Sequence, residues 1–106
     1  MRVFLDDERM PDGVPGLPDP EDWVIVRSAA ECIALLETRE VLAVSLDHDL
    51  GADVPTGYDV ACWLEQAHAE GRRVPPHLYV HTANPVGRAR ILAALRGLAV
   101  KVLTVG

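Results

Sequence analysis

One stretch of this sequence joins an apolar run to three ionisable side chains, and it reads Ser45-Leu46-Asp47-His48-Asp49-Leu50-Gly51. The run that leads into it, 41–46, is rich in Val and Leu and predicts a buried strand. Two carboxylates and an imidazole follow at once, and such groups are costly to bury unless they are paired or bind a ligand. The stretch therefore predicts a strand that presents polar chemistry at its carboxyl end.

Two other stretches have the same form, an apolar strand followed directly by polar side chains. They are Val3-Phe4-Leu5-Asp6-Asp7-Glu8-Arg9 and Leu78-Tyr79-Val80-His81-Thr82-Ala83-Asn84. Ligands of open α/β sheets bind outside the carboxyl ends of the strands. Three strands that all end in polar residues therefore indicate one functional edge of a sheet.

The remaining segments complete an alternation of strands and helices. Strands are predicted at 2–6, 23–26, 41–47, 77–82 and 99–105. Helices are predicted to begin after the caps Ser28, Thr56 and Asn84 and to end near Glu40, Gly71 and Gly97. This alternation predicts one α/β domain over 1–106, a doubly wound five-stranded parallel sheet in the order 2-1-3-4-5. Strands 1 and 3 are then neighbours, so Asp6, Asp7 and Asp47 converge at the switch point.

The same pattern leaves one face of the sheet without helices. Right-handed crossovers place all three helices on one side, because no helix follows strand 1 or strand 5. Segment 10–22 is rich in proline and glycine and predicts a loop. The strands are apolar on both sides, and an apolar sheet face does not stay exposed to water. Either the proline-rich loop folds over this face or two copies of the chain pack through it, and we favour the homodimer.

Composition and charge exclude several classes of protein. The net charge is −6, from 16 acidic and 10 basic residues, which argues against non-specific coating of a nucleic-acid backbone. Cys32 and Cys62 lie inside helical patterns without metal-type spacing, so we interpret them as core thiols of a reducing compartment. No signal peptide is evident, and no apolar run approaches the roughly 20 residues of a membrane span. We therefore expect a cytoplasmic protein with no membrane partner.

The converging acids predict a metal centre. Three carboxylates at one point repel each other, and a bound cation relieves that repulsion. Oxygen ligands suit Mg²⁺ or Mn²⁺, so Asp6, Asp7 and Asp47 are the predicted metal ligands.

Polar residues beside these acids have two interpretations each. His48 and Asp49 either form a turn that closes the strand or act as a general acid–base pair, with His81 as a second catalytic partner. Asn84 is a helix cap, and the free N–H groups of that helix start also suit a phosphate. Arg88, one turn further along, would add a bidentate donor.

The placement of these residues resembles that of a response-regulator receiver domain. The resemblance implies that Asp6 and Asp7 hold Mg²⁺, that Asp47 accepts a phosphoryl group, and that Thr82 and Lys101 complete the site. The chain differs from a receiver because it lacks the helix after strand 1 and the C-terminal helix. Lys101 also stands early in its strand and has no proline after it.

Four motifs, at 5–9, 46–51, 56–59 and 81–88, are similar to a narrower group, the cyclic-phosphate-processing receiver-like domains. This resemblance implies a metal-dependent phosphoesterase that hydrolyses cyclic phosphate ends of nucleotides or RNA in RNA repair. Its partner would be a phosphate-containing small molecule or an RNA end. Two alternatives stay open: a signalling module phosphorylated on Asp47, and a non-catalytic module that binds phosphate ends.

Overall fold

The computed structural model describes residues 1–106 and contains one five-stranded parallel sheet with three α-helices. The strands are β1 (Arg2–Leu5), β2 (Trp23–Val26), β3 (Ala43–Leu46), β4 (His77–Val80) and β5 (Lys101–Thr104). The helices are α1 (Ala29–Thr38), α2 (Gly57–Ala69) and α3 (Pro85–Leu95). The sheet order β2-β1-β3-β4-β5 confirms the prediction. None of the helices is long and apolar enough to cross a membrane.

The three predicted caps begin the three helices. Ser28 Oγ accepts from the backbone N–H of Glu31, and Asn84 Oδ1 accepts from two backbone N–H groups. Thr56 forms a reciprocal capping box with Asp59, whose Oδ2 accepts from the Thr56 N–H at 2.7 Å. Each cap satisfies N–H groups that have no partner inside the helix. The helix starts are therefore set by local sequence.

The larger part of the core lies between the sheet and the helices. The inward residues of the three central strands are fully buried there: Val3, Leu5, Val44, Leu46, Leu78 and Val80. Three of these strands end one or two residues earlier than predicted, although their hydrogen bonds continue for one residue. The N–H of Asp47 donates to Leu5 O at 3.0 Å, and the N–H of His81 donates to Leu46 O at 3.0 Å. Polar side chains therefore begin where regular strand pairing ends.

The proline-rich loop covers much of the opposite face. Val14 and Leu17 of this loop pack against Phe4, Trp23 and Ala43 in a second buried cluster. The indole N–H of Trp23 also donates to Pro18 O at 2.8 Å. The first of the two alternatives for this face is thus present within one chain. A homodimer stays a prediction, and it would use the part of the face over β4 and β5, where Leu103 is 41% exposed.

Candidate active site

A cavity of about 520 Å³ opens at the carboxyl ends of β1, β3 and β4. It contains five carboxylates and one cationic side chain. Its lining residues are Asp6, Asp7, Glu8, Arg9, Asp47, Asp49, Gly51, Thr82, Ala83 and Asn84. The predicted functional edge of the sheet is therefore an acidic cavity.

Asp6 is the most firmly held carboxylate of the cavity. Its Oδ1 accepts from the backbone N–H groups of Glu8 at 2.9 Å and Arg9 at 2.8 Å. Its Oδ2 lies 3.2 Å from Arg9 Nε and 3.1 Å from His81 Nε2. Burial alone would raise the pKa of Asp6, but the donors from Arg9, Glu8 and His81 outweigh it and lower that pKa. Asp6 is therefore ionised and fixed in one orientation.

His81 lies behind Asp6, inside the protein. Its ring is fully buried and stacks on Phe4 with the ring centroids 4.5 Å apart. Its Nδ1 is 2.6 Å from Ser45 Oγ, and its Nε2 faces Asp6. Burial lowers the pKa of His81 to about 4, although Asp6 opposes that change. The imidazole is therefore neutral near pH 7, with Nε2–H directed at Asp6 and Nδ1 accepting from the Ser45 hydroxyl.

Asp47 faces the cavity beside Asp6. Burial and then the negative charge of Asp6 raise the pKa of Asp47 to about 6, against hydrogen bonds from the His48 N–H and the Thr82 hydroxyl. Ligand atoms of Asp6, Asp47 and His81 lie within 4.8 Å of one another. Asp7, the third predicted metal ligand, lines the cavity but is not part of this close group. The predicted convergence of charge therefore centres on Asp6 and Asp47.

His48 and Asp49 form a pair at the rim of the cavity. His48 Nδ1 is 3.0 Å from Asp49 Oδ1, and the Asn84 amide donates to Asp49 Oδ2 at 3.3 Å. These two hydrogen bonds lower the pKa of Asp49, whose side chain is exposed. The His48 ring packs against Gly87, where an added Cβ would overlap it. Its Nε2 is buried without a partner.

Four predicted site residues are not among the residues that line the cavity. His48 and His81 do not line the cavity, because each ring lies behind a carboxylate that does. Arg88 is also absent from the lining residues, and its Nη2 donates to Thr82 O at 2.9 Å. Lys101 begins β5 opposite His77, at the amino ends of the strands, whereas the cavity lies at their carboxyl ends. Thr82 and Asn84, the other two predicted phosphate-binding residues, line the cavity.

Two residues of the site received no role from the sequence. Arg9 lines the cavity, and Ser45 holds the ring of His81. Both left a signal in the quoted stretches. Arg9 ends the acidic motif after β1, and Ser45 is a hydroxyl in an otherwise apolar strand, which indicates a buried hydrogen-bond partner.

A family model described as cyclic-phosphate processing receiver domain matches residues 1–97 of this chain. Among solved structures, the chain is similar to a CheY-like response regulator receiver domain protein from Methanospirillum hungatei, with a TM-score of 0.54 and 16% sequence identity. That alignment covers 97% of this chain and 78% of the other. At such identity the likeness establishes the receiver fold alone. No curated protein matches the sequence.

Proposed function

This chain belongs to the family of cyclic-phosphate processing receiver domains, and from that membership we propose that it hydrolyses cyclic phosphate ends of nucleotides or RNA with a divalent cation. The observation that supports this most is the cavity, in which Asp47 stands beside the fixed carboxylate of Asp6 at the strand ends. A fold alone does not define a reaction, so the proposal depends on these side chains.

The donor set of the cavity suits a hard divalent cation. Asp6, Asp7 and Asp47 offer carboxylate oxygens, and such ligands favour Mg²⁺ or Mn²⁺. The raised pKa of Asp47 reflects burial beside a like charge, which a cation would offset. When bound, the ion would supply positive charge that stabilises the developing charge on the phosphate oxygens. Asp6, Asp7 and Asp47 are therefore the proposed metal ligands.

The exposed carboxylate of Asp49 is the proposed proton acceptor. It is ionised near neutral pH, and His48 and Asn84 fix its orientation. An ionised, oriented carboxylate on the wall can take a proton from a water whose oxygen bonds to phosphorus. One ring P–O bond then breaks, and the released ribose oxygen receives that proton from Asp49. The Asn84 amide donates one N–H to Asp49 and keeps a second that can donate to a phosphate oxygen. The Thr82 hydroxyl donates to Asp47 and would leave that contact to donate to a phosphate. We assign to His48 and His81 the roles of holding Asp49 and Asp6, in place of direct proton transfer to a substrate.

A receiver-type function is the second candidate, and the fold favours it. In this case Asp47 would accept a phosphoryl group and the domain would signal. Two departures from the receiver pattern weaken this candidate: no α-helix lies between β1 and β2, and Lys101 lies at the amino end of β5, opposite His77 and far from the cavity. A module that binds phosphate ends without catalysis is the third candidate.

One experiment separates these candidates. The protein is incubated with adenosine 2′,3′-cyclic phosphate and Mg²⁺, and separately with acetyl phosphate. We expect ring opening to a monophosphate and loss of that activity in Asp49→Asn. An intact protein mass raised by one phosphoryl group, absent in Asp47→Asn and without any ring opening, would support the signalling module instead. Binding of the cyclic phosphate with neither reaction would support the third candidate.

We also propose that two copies pair through the sheet face over β4 and β5. The cluster built by the proline-rich loop reaches Tyr79 and Val105 at the margin of this surface, but Leu103 stays 41% exposed. Sedimentation equilibrium tests this proposal. We expect a dimer in the wild type and a monomer after Leu103→Asp, whereas a monomeric wild type at high protein concentration would contradict it.

A further inference from the structure

The side chains that line the cavity are mostly negative, and that charge opposes the binding of a phosphate. Five carboxylates line it, and Arg9 is the one cationic side chain among the lining residues. Two other guanidinium groups lie nearby but are not among the lining residues. That of Arg88 donates to Thr82 O, and that of Arg27 donates to the backbone oxygens of Asp6 and Arg9. The chain's single lysine, Lys101, lies at the amino ends of the strands, away from the cavity. An anion that enters this cavity therefore meets one fixed positive side chain.

Arg9 is held in place from both its backbone and its side chain. Its backbone N–H donates to Asp6 Oδ1, and its carbonyl oxygen accepts from Arg27 Nη1 at 2.8 Å. Its Nε donates to Asp6 Oδ2 at 3.2 Å, and its Nη2 donates to His81 O. The side chain is nevertheless 35% exposed. These bonds fix the plane of the guanidinium beside the carboxylates.

This arrangement leaves part of the guanidinium free to donate. A guanidinium carries five N–H groups in a rigid fork. The bonds to Asp6 and His81 use one N–H on Nε and one on Nη2, so three remain. A planar fork with free donors matches the oxygens of a phosphate better than a point charge does. The cost of ordering this long side chain is met before any ligand binds.

We infer that Arg9 is the phosphate-binding residue of this site, and that it donates to the non-bridging oxygens of a phosphate ester held in the cavity. The inference rests on the proposed function, since it requires a phosphate ligand. It assigns to Arg9 the role that the sequence gave to Arg88. The ligand class is a phosphate diester or monoester bound together with the cation.

A purely structural role for Arg9 makes a different prediction. If Arg9 only fixed Asp6, its loss would weaken cation binding and anion binding together. If Arg9 binds the anion, removal of its positive charge weakens anion binding, but cation binding is unchanged or becomes tighter. The second result follows because the guanidinium repels a cation held by Asp6 and Asp47. The two roles therefore differ in the sign of one measured change.

The test uses the full chain and the variants Arg9→Gln, Arg9→Lys and Arg96→Gln. Gln keeps an N–H donor for Asp6 but removes the charge. Lys keeps the charge but removes the fork. Arg96 is an exposed residue directly after α3, at the end of that helix that lies away from the cavity. Arg96→Gln therefore removes the same charge as Arg9→Gln, but at a distance from the site. Circular dichroism and thermal unfolding first establish that each variant is folded.

Calorimetric titrations then measure Mn²⁺ binding alone, followed by binding of adenosine 2′,3′-cyclic phosphate and of inorganic phosphate with Mn²⁺ saturating. For Arg9→Gln we expect anion affinity to fall about tenfold or more, the size of one charge-assisted contact, with Mn²⁺ affinity equal to or above that of the wild type. Arg9→Lys should give a smaller loss, and Arg96→Gln should give none. If Arg9→Gln does not fold, Arg9→Lys decides: a loss of anion affinity with unchanged Mn²⁺ affinity supports the inference, and a parallel loss of both contradicts it.

Two results would overturn the inference. One is anion binding by Arg9→Gln equal to that of the wild type. The other is a parallel loss of Mn²⁺ and anion binding, which is the signature of a structural role. A wild type that binds no phosphate ligand would contradict the inference and the proposed function together. A wild type that binds the cyclic phosphate without opening it, with loss of binding in Arg9→Gln, would support the inference and contradict only the hydrolysis.

Discussion

The imidazole Nε2 of His81 lies 3.1 Å from Oδ2 of Asp6, and this contact joins the ends of β4 and β1 beneath the cavity. Ser45 Oγ holds the other ring nitrogen at 2.6 Å. The three side chains form a buried chain of hydrogen bonds that ends at a carboxylate of the cavity wall. Groups placed behind a metal-binding carboxylate fix its orientation and affect metal affinity. The buried chain therefore supports the proposed metal centre without touching a substrate.

Replacing His81 tests this support directly. His81→Leu should remove the donor to Asp6 and lower Mn²⁺ affinity about 10- to 100-fold. It should also lower the free energy of unfolding by about 1 to 3 kcal/mol, because the Ser45 hydroxyl loses its partner. His81→Gln can still donate to Asp6 and should keep most of the Mn²⁺ affinity. Calorimetric titration of both variants checks this, and equal affinities in the two variants would contradict it.

The pKa of Asp47 predicts how the stability of the metal-free protein depends on pH. Its folded pKa, about 6, is raised from 3.8, so the folded state binds the proton more tightly than the unfolded state. The stability that this proton confers is complete below pH 3.8 and is lost as the pH rises through about 6. His81, with a lowered pKa of about 4, acts in the opposite direction over an overlapping range. Only a comparison with a variant isolates Asp47.

Asp47→Asn should accordingly be as stable as the wild type near pH 4 and more stable above pH 6. We expect a difference on the order of 1 to 2 kcal/mol, which is the two-unit shift reduced for partial exposure of the side chain. Urea unfolding in EDTA between pH 4 and pH 8 measures it. If the difference in unfolding free energy between the two proteins does not change with pH, folding does not raise the pKa of Asp47.

Divalent cations should reverse this order of stability. A ligand that binds only the folded state stabilises it by about 2.7 kcal/mol at 100 times its dissociation constant. Mg²⁺ or Mn²⁺ should therefore raise the melting temperature of the wild type at pH 7.5 and leave that of Asp47→Asn unchanged. The effect should weaken below pH 6, where a proton competes for Asp47. An equal rise in both proteins would place the cation elsewhere.

Two glycines provide a matched test of how closely the start of α2 packs against the backbone of Asp47. Gly57 begins α2, and an added Cβ would overlap the carbonyl oxygen of Asp47. Because the obstacle is backbone, Gly57→Ala should cost about 3 kcal/mol, the upper end of the range for overpacking. Gly97 has nothing within 4 Å of its added Cβ, so Gly97→Ala should change stability by less than about 1 kcal/mol. Equal costs in chemical denaturation would contradict this packing.

The sheet order and the helix starts follow from local sequence, which explains why both were predictable. The caps Ser28, Thr56 and Asn84 each satisfy nearby N–H groups, and the alternation of strands and helices leaves few topologies. The meeting of Asp6 and Asp47 follows from the adjacency of β1 and β3. These features need no knowledge of side-chain direction.

The roles of the histidines depended on a feature that the sequence left open. Phe4, Ser45 and Tyr79 are aligned across the sheet, so Asp6, Asp47 and His81, two residues further on, continue along the same face. That face is the one over which the proline-rich loop packs. The burial of His81 therefore depended on whether the loop covers this face, and the sequence left that question open. The position of Arg9 was not predictable because it depends on the turn that follows Asp6. Contacts with Arg27 and His81, which are distant in sequence, hold that turn.

Product analysis of adenosine 2′,3′-cyclic phosphate tests the central proposal most directly. Wild-type protein and Asp47→Asn are incubated with Mg²⁺, with Mn²⁺ and with EDTA, and anion-exchange chromatography separates the cyclic phosphate from the 2′- and 3′-monophosphates. We predict that the wild type forms one monophosphate isomer with a cation, none in EDTA, and that Asp47→Asn is at least about 100-fold slower. Unchanged cyclic phosphate with both cations, or equal turnover in EDTA, would contradict a metal-dependent phosphoesterase.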